Sequence, residues 1–208
     1  MFERAISEEA GKDLAILVRS CLLSPFYLAG GTGCSLQIGH RVSFDLDLFT
    51  RKTFDTKALI ERLKDTGKFL LDDEAHQTII GRFEETRISF FRYSYPILFP
   101  LKGFRGLSVA DIRDIGCMKL DAISSRGSRR DFVDLYFIAR VIGDLHVLLE
   151  LFKKKYQGID YNLMHILKSM VWFDDAEKEP MPKMLKGISW EEIKSFFKKA
   201  TKEVVIGD

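Results

Sequence analysis

A glycine turn that leads into an extended segment with alternating side chains limits most strongly how this chain can fold. The apolar run 26–29 is followed by Gly30-Gly31-Thr32, and segment 43–49 reads Ser-Phe-Asp-Leu-Asp-Leu-Phe. Because successive side chains on a β-strand point to opposite faces, the sequence predicts a strand over 43–49 with one polar and one apolar face. The polar face is formed by Ser43, Asp45 and Asp47, and the apolar face by Phe44, Leu46 and Leu48.

The two aspartates on the polar face predict a site for a hard divalent cation. On a strand, Asp45 and Asp47 would lie about 6 to 7 Å apart at the backbone, so both carboxylates could converge on one Mg²⁺ or on a pair of ions. Two carboxylates this close repel each other unless a cation lies between them. The alternative is the solvent-exposed face of an edge strand, where such alternation is ordinary.

The glycine turn predicts an anion-binding site beside these carboxylates. Backbone N–H groups at a helix start bind anions because the helix dipole favours negative charge, and glycine lets the backbone come close to the ligand. Gly30, Gly31 and Thr32 precede a short helical pattern at 32–39. An anion site next to a metal site is what a nucleoside triphosphate (NTP) with bound Mg²⁺ requires. A glycine pair can also serve only as a strand-to-helix turn.

Periodicity divides the 208 residues into a mixed N-terminal part and a helical C-terminal part. The chain is 46% hydrophobic and 30% charged, which is typical of a globular protein. Predicted helices cover 7–22, 32–39, 53–66, 108–125, 129–141, 145–156, 161–170 and 190–201, and predicted strands cover 26–29, 43–49, 68–71, 76–84 and 86–93. An edge piece is predicted at 97–99 and a loop at 173–188. We therefore expect an α+β fold, with a mixed sheet in 1–105 and a helical region in 106–208.

Composition limits the classes of partner. The net charge of +2 creates no strong basic field, so any nucleic-acid contact must come from local clusters. Cys21, Cys34 and Cys117 are too few and too widely spaced for a disulfide framework or a zinc site, and they indicate reduced thiols in a cytoplasmic protein. No uncharged apolar run approaches the roughly 18 residues that span a membrane, so no membrane partner is expected.

A second group of charged residues lies where two predicted helices meet. Lys119 falls on the helix at 108–125, and Asp131 and Asp134 lie one turn apart on the next helix. Three arginines between them are Arg126, Arg129 and Arg130. A lysine and arginines that face an acidic, metal-binding cleft would neutralise phosphate charge. Taken alone, Lys119 is better explained as a surface lysine and the aspartates as charges near a helix terminus.

Together, these motifs resemble the AbiEii/AbiGii toxin family of nucleotidyltransferases, which belongs to the DNA-polymerase-β-like superfamily. The matching residues run in order over about 10–145: Gly30-Gly31-Thr32, Arg41-x-Ser43-x-Asp45-Leu46-Asp47, Lys119 and Arg126-x-x-Arg129-Arg130-Asp131-x-x-Asp134. The resemblance implies a mixed-sheet nucleotidyltransferase core followed by a helical region. It further implies transfer of a nucleotide from an Mg²⁺–NTP to an acceptor hydroxyl, as on RNA or tRNA, by a toxin with a cognate antitoxin.

The resemblance also implies roles for individual residues. Asp45 and Asp47 would bind the metal, and they would act in catalysis with Lys119 and Asp131. The residues that would contact the nucleotide are Gly30, Gly31, Thr32, Ser43, Arg129, Arg130 and Asp134.

One position departs from the superfamily pattern. A third carboxylate usually lies on a neighbouring strand, where it binds metal or activates the acceptor hydroxyl, but this chain has Ser89 there. A base would then come from Glu84, Asp121 or Asp131, or two carboxylates suffice, or the activity is weakened. Two alternatives stay open: a nucleotide-binding module without turnover, and a sugar-nucleotide transferase, which also uses an Asp-x-Asp strand.

Overall fold

The structure is a computed structural model that describes the backbone of residues 1–207 and the side chains of residues 1–204. After a 3₁₀ turn at Glu3–Ala5, the strands are β1 (Tyr27–Leu28), β2 (Leu46–Thr50), β3 (Phe69–Ala75), β4 (Thr78–Phe83), β5 (Thr86–Arg92), β6 (Lys102–Phe104) and β7 (Leu107–Val109). The helices are α1 (Glu8–Arg19), α2 (Gly30–Ile38), α3 (Thr56–Thr66), α4 (Ile112–Ser125), α5 (Arg129–Ile142), α6 (Leu145–Lys155), α7 (Leu163–Ser169), α8 (Asp174–Glu177) and α9 (Trp190–Gly207).

The strands of the described chain form a seven-stranded mixed sheet in the order β3-β4-β5-β2-β1-β7-β6. The pairs β2–β5 and β1–β7 are parallel, and the other neighbours are antiparallel. In this register Asp47 lies directly beside Ser89 of β5. The sheet, followed by helices α4–α9, confirms the predicted α+β fold.

Buried apolar side chains join the sheet to the helical region. One cluster lies between the sheet and helices α1 and α3, and another lies among α4–α9. A smaller cluster connects them, in which Ala29 and Cys34 near the start of α2 pack with Ile115 of α4 and Ile138 of α5. The start of α2 is therefore held against both α4 and α5.

The change from strands to helices falls later than predicted. Residue 105 lies at the tip of the β6–β7 hairpin, and β7 pairs with β1 inside the sheet. The sheet therefore continues to Val109. Strands of three residues are too short to show an alternating pattern, which is why the sequence did not reveal β6 and β7. The division into two domains stays a prediction.

The predicted strand over 43–49 begins later, at Leu46, and the predicted orientation of Phe44 is wrong. Leu46 and Leu48 are fully buried, but Phe44 is 52% exposed. Residues 41–43 are held by segments outside the sheet: Arg41 bridges to Met184 and Ser43 bridges to Ile6. The regular alternation of a strand therefore starts only after Phe44.

Smaller differences have local causes. The helix predicted over 108–125 begins later, at Ile112, because Ser108 lies in β7 and Asp111 caps the helix by accepting from Arg113 N at 3.0 Å. The predicted edge piece at 97–99 is not a strand, because the backbone N–H groups of Leu98 and Phe99 donate to the Asp114 carboxylate. The loop predicted at 173–188 contains the single turn of α8. Within the described residues, the structure has no helix with the length and hydropathy needed to cross a bilayer.

Candidate active site

The N-terminus of α2 lies directly against Asp47. Helix α2 begins at Gly30, two residues earlier than predicted, and Gly30 has φ +58°, which favours glycine. A Cβ atom placed on Gly30 would come within 2.5 Å of Asp47 Oδ2. The absence of a side chain therefore lets the carboxylate approach the helix start. The predicted anion site and the predicted metal site thus adjoin each other.

A cavity of about 200 Å³ opens at this junction. Predicted site residues from both halves of the chain line it, namely Gly31, Ser43, Asp45, Asp47, Lys119, Arg130 and Asp131. Arg126 and Ser128 also line it, as do Arg41, Arg87 and Ser89. One cavity therefore combines acidic side chains with a ring of cations, which suits a metal-bound polyphosphate.

Asp45 and Asp47 make fewer direct ion pairs within the described residues than the other carboxylates of the site. Burial raises the pKa of Asp47; Lys119 and two arginines oppose this rise, and the neighbouring charge of Asp45 adds to it. Arg130 Nη1 approaches Asp45 Oδ2 at 3.5 Å, and both side chains are partly exposed. A pair of oxygen donors with excess negative charge fits a hard divalent cation such as Mg²⁺.

Asp131, in contrast, is fully engaged by cations and a hydroxyl group. Lys119 Nζ donates to Asp131 Oδ1 at 2.7 Å, Arg126 Nε donates to Oδ2 at 2.9 Å, and Ser128 Oγ donates to Oδ2 at 2.7 Å. Burial would raise the pKa of Asp131, but Lys119 and Arg126 hold it well below its usual range. These bonds orient Lys119 and Arg126 at the cavity wall and disfavour Asp131 as a proton acceptor.

Asp134 is deeper still and does not line the cavity. Its side chain is fully buried. Arg41 donates to both carboxylate oxygens, from Nε at 2.6 Å and from Nη2 at 2.9 Å. Lys119 Nζ lies 2.7 Å from Oδ2, and His40 Nε2 lies 2.8 Å from Oδ1. The expected direct contact of Asp134 with nucleotide is therefore corrected: the residue supports Arg41 and Lys119 from behind.

A buried group of potential metal ligands also surrounds Asp134. Ligand atoms of Cys34, His40 and Asp134 lie within 4.8 Å of one another. Burial raises the pKa of the Cys34 thiol well above its usual value, so the thiolate that binds metals is disfavoured. Arg41 and Lys119 already compensate the Asp134 carboxylate. We therefore assign this group to the support of the cavity.

Two further predicted nucleotide contacts are corrected by the structure. The Thr32 side chain is buried, and its hydroxyl donates to the Asp45 carbonyl oxygen and lies 2.8 Å from Ser43 Oγ. It fixes the segment that carries Asp45 onto α2. Arg129 Nε donates to Ala176 O at 2.8 Å, so this guanidinium points into the helical region. Neighbouring helix positions differ by about 100° in direction, which is why Arg130 reaches the cavity and Arg129 does not.

Ser89 occupies the position expected of the missing carboxylate. It lies beside Asp47 in the sheet and lines the cavity. Of the three proposed bases, Glu84 lies at the β4–β5 turn, where it accepts from Lys68 N at 2.8 Å. Asp121 lines a second cavity of about 360 Å³ together with Asp47 and Lys119, and burial raises the pKa of Asp121. Its position therefore favours Asp121 over Glu84 as the general base.

Sequence reasoning assigned no role to two arginines at the cavity. Arg87 lies two residues before Ser89 on β5 and therefore shares its face of the sheet. The alternation of side chains along the predicted strand 86–93 could therefore have indicated that Arg87 faces the site. Arg41 is 4% exposed and is held by Asp134 from α5. Only the tertiary contact between the segment that follows α2 and helix α5 reveals this pairing.

Comparisons with known proteins decide the family. The family described as "Nucleotidyl transferase AbiEii toxin, Type IV TA system" matches residues 12–106 and 90–203. The chain belongs to the AbiEii nucleotidyltransferase toxin family. The predicted resemblance is thereby confirmed, and family membership supports enzymatic nucleotidyl transfer.

One relative of this AbiEii chain is similar in sequence over nearly its whole length, and two solved structures are similar in fold. It is 38% identical over 207 residues to the uncharacterized protein aq_aa25 of Aquifex aeolicus (strain VF5), covering 96% of this chain and 98% of that protein. The structure of MenT4, a nucleotidyltransferase toxin from Mycobacterium tuberculosis H37Rv, is similar with a TM-score of 0.55 at 14% identity, covering 96% of this chain and 86% of that one. JHP933 from Helicobacter pylori has a TM-score of 0.53 at 17% identity, covering 97% and 96%. At these identities, the two structures support the fold alone.

Proposed function

We propose that this AbiEii-family protein transfers a nucleotide from an Mg²⁺–NTP to a hydroxyl group of RNA, with tRNA as the first candidate acceptor. One observation carries the proposal: the Asp47 carboxylate, which shares a cavity with Asp45, lies against the N-terminus of α2. Phosphate binding at helix N-termini and metal binding by paired carboxylates are the two requirements of an NTP site.

The residues around the cavity contact different parts of the substrate. The backbone N–H groups near Gly31 hold the phosphates. Asp45 and Asp47 would hold the divalent cation, which would supply charge stabilisation at the reacting phosphate. Lys119, Arg126 and Arg130 face the same cavity and offset the charge that grows on the leaving group.

The reaction exchanges a phosphoanhydride bond of the NTP for a phosphoester bond to the acceptor. The acceptor oxygen bonds to the α-phosphorus while the bond between that phosphorus and the bridging oxygen breaks. Pyrophosphate leaves with the bonding electrons. The acceptor proton goes to a base, for which Asp121 is the best placed of the three proposed carboxylates because it shares a cavity with Asp47. Asp131 also shares a cavity with Asp47, but its carboxylate is already bound by Lys119, Arg126 and Ser128.

We further propose that the chain acts as a toxin that a cognate antitoxin neutralises. The matched family is described as a type IV toxin–antitoxin toxin. An RNA acceptor and free thiols at Cys21, Cys34 and Cys117 agree with action in the cytoplasm.

Label transfer tests the enzymatic proposal. Purified protein is incubated with each α-labelled NTP and total RNA, with Mg²⁺ or with a chelator. We expect Mg²⁺-dependent labelling of RNA and release of pyrophosphate, both abolished by Asp45→Ala and Asp47→Ala. Asp72→Ala, on the exposed strand β3, is the matched control that keeps activity. No labelling with any NTP, or equal labelling by Asp45→Ala, would contradict the proposal.

The same assay separates the two alternatives. Ser89 favours the nucleotide-binding module, because the residue of β5 that lies beside Asp47 is a serine and not a carboxylate. That module predicts saturable NTP binding in calorimetry without turnover. A sugar-nucleotide transferase predicts consumption of UDP-sugars without pyrophosphate.

A further inference from the structure

A third concave surface adjoins the candidate active site beside α7. This groove, of about 350 Å³, lies between the end of α4 and the α7–α8 segment. Its lining includes Ser124, Arg126, His165, Lys168 and Trp172. Arg126 also lines the cavity that contains Asp45 and Asp47, so the groove and the cavity meet at this side chain. The groove therefore lies where a long substrate would approach the reacting phosphate.

Trp172 gives this groove an exposed aromatic surface. Its side chain is 63% exposed, the largest fraction among the large hydrophobic residues that the structure describes. Trp190, the other tryptophan, is 8% exposed and packs on Phe132 and Phe173. An exposed indole presents a flat face on which any nucleobase can stack.

Two cationic side chains line the groove together with the indole. Lys168 is exposed, and the Arg126 side chain is 66% exposed even though it pairs with Asp131. The acidic residue of the groove, Asp175, is already paired with Lys178 at 2.8 Å. The His165 ring contributes a polar edge and lies 3.1 Å from the Ser124 carbonyl oxygen. The field inside the groove is therefore favourable to phosphate groups.

This combination suits a single-stranded polynucleotide better than a duplex or a protein. Stacking needs an unpaired base, because bases in a duplex present only their edges. A protein partner would need a broader apolar surface, whereas this small groove is also lined by three serines and two cations.

We infer that this groove binds the unpaired 3′ end of the acceptor RNA. One base stacks on Trp172, and phosphates contact Lys168 and Arg126. The terminal hydroxyl then passes Arg126 into the catalytic cavity. This inference deepens the proposed function and rests on it, because it names the form of the acceptor.

Tryptophan fluorescence tests the inference without requiring turnover. The full-length protein is titrated with a single-stranded oligoribonucleotide, and binding is followed in parallel by anisotropy of a label on the RNA. We expect stacking to quench Trp172, and we expect the quenching to disappear in Trp172→Phe, which retains only Trp190. A blunt duplex of the same sequence should cause little quenching.

Variants of the groove separate stacking from charge. Trp172→Ala should raise KM for RNA about tenfold and leave KM for NTP unchanged, and Trp172→Phe should restore most of the affinity. Lys168→Ala should reduce the slope of log K against log salt by about 0.7, as expected for one lost single-strand phosphate contact. Lys64→Ala on α3, which packs on β3 and β4, is the matched control with an unchanged slope.

The outcomes are distinct from those of the label-transfer assay. Quenching of Trp172 and a reduced salt dependence in Lys168→Ala, without any nucleotide transfer, would support RNA binding in the groove. The same result would contradict the proposed enzymatic activity. Transfer to RNA with unchanged KM in Trp172→Ala, or quenching that persists in Trp172→Phe, would overturn the groove. Loss of antitoxin neutralisation in Trp172→Ala with unchanged RNA binding would assign the groove to a protein partner and also overturn the inference.

Discussion

Four aspartates near the cavity differ in how their charge is compensated. Asp131 and Asp134 are buried among cations that keep each pKa below its usual range in spite of burial. Asp47 has its pKa raised by burial, next to Asp45. The first pair is therefore satisfied by direct ion pairs within the protein, whereas the second pair makes few such pairs and is open to an external cation.

This difference predicts opposite effects of neutral substitutions at Asp134 and Asp47. Asp134→Asn leaves Arg41 and Lys119 buried without their counter-charge, and we expect a loss of about 3 to 5 kcal/mol in the free energy of unfolding. Asp47→Asn removes a partly exposed carboxylate whose pKa is raised in the folded protein, and it should leave stability equal or higher. Urea unfolding of both variants at pH 7 measures the difference. Greater destabilisation by Asp47→Asn than by Asp134→Asn would contradict this view of the site.

At the scale of elements, the start of α2 depends on its glycines. A side chain at Gly30 would require positive φ and would displace the Asp47 carboxylate. The helix start and β2 can therefore adjoin only while residue 30 lacks a Cβ atom.

Gly30→Ala should accordingly damage both stability and activity. We expect a loss of about 1 to 2 kcal/mol from backbone strain and a larger loss of nucleotide transfer, because Asp47 moves. Gly103→Ala on β6, where a Cβ atom would meet nothing within 4 Å, is the matched control. Thermal unfolding and label transfer are measured together. Full activity of Gly30→Ala would show that the close approach has no catalytic importance.

The start of α4 carries a pH-dependent cap. Burial would raise the pKa of Asp111, but Arg113 and Lys102 lower it to about 2. A carboxyl group whose pKa is lower in the folded than in the unfolded protein stabilises the fold at pH values above its unfolded pKa of about 4. This stabilisation is lost as the pH falls towards the folded pKa.

Asp111→Ala should therefore be destabilised at pH 7 and less so in acid. At neutral pH, we expect the missing cap to lower the free energy of unfolding by about 1 kcal/mol. The difference in unfolding free energy between the variant and the unsubstituted protein should become smaller between pH 4 and pH 2. Asp111→Asn keeps a capping side chain and isolates the contribution of charge. Unfolding free energies at several pH values provide the measurement, and a gap that widens in acid would contradict the expected sign.

At the scale of the whole molecule, the site exists only where the sheet and the helical region meet. Arg41 precedes β2, while its partner Asp134 lies on α5. Lys119 comes from α4 and reaches the same cavity as Asp45. Neither half of the chain contains the complete set of charges.

Separating the halves should therefore abolish the site. A fragment of residues 1–109 keeps every strand of the described sheet but loses Lys119, Asp131 and Asp134. We expect it to bind NTP at least tenfold more weakly than the full chain in calorimetry, with recovery on addition of residues 110–208 if the halves reassociate. Full-strength NTP binding by the isolated fragment would show that the N-terminal part forms an independent site.

Local patterns in the chain were enough to predict the α+β class, most helices and the Asp-x-Asp segment beside a glycine turn, because period and turn chemistry are properties of neighbouring residues. The family resemblance added Lys119 and Asp131. Tertiary structure alone decided that Phe44 faces solvent, that Asp134 and Thr32 point inward, and that Arg130 rather than Arg129 reaches the cavity. Each of these depends on segments distant in sequence, such as residue 41 against 184 or α2 against α5. Burial and charge compensation arise only when such segments meet.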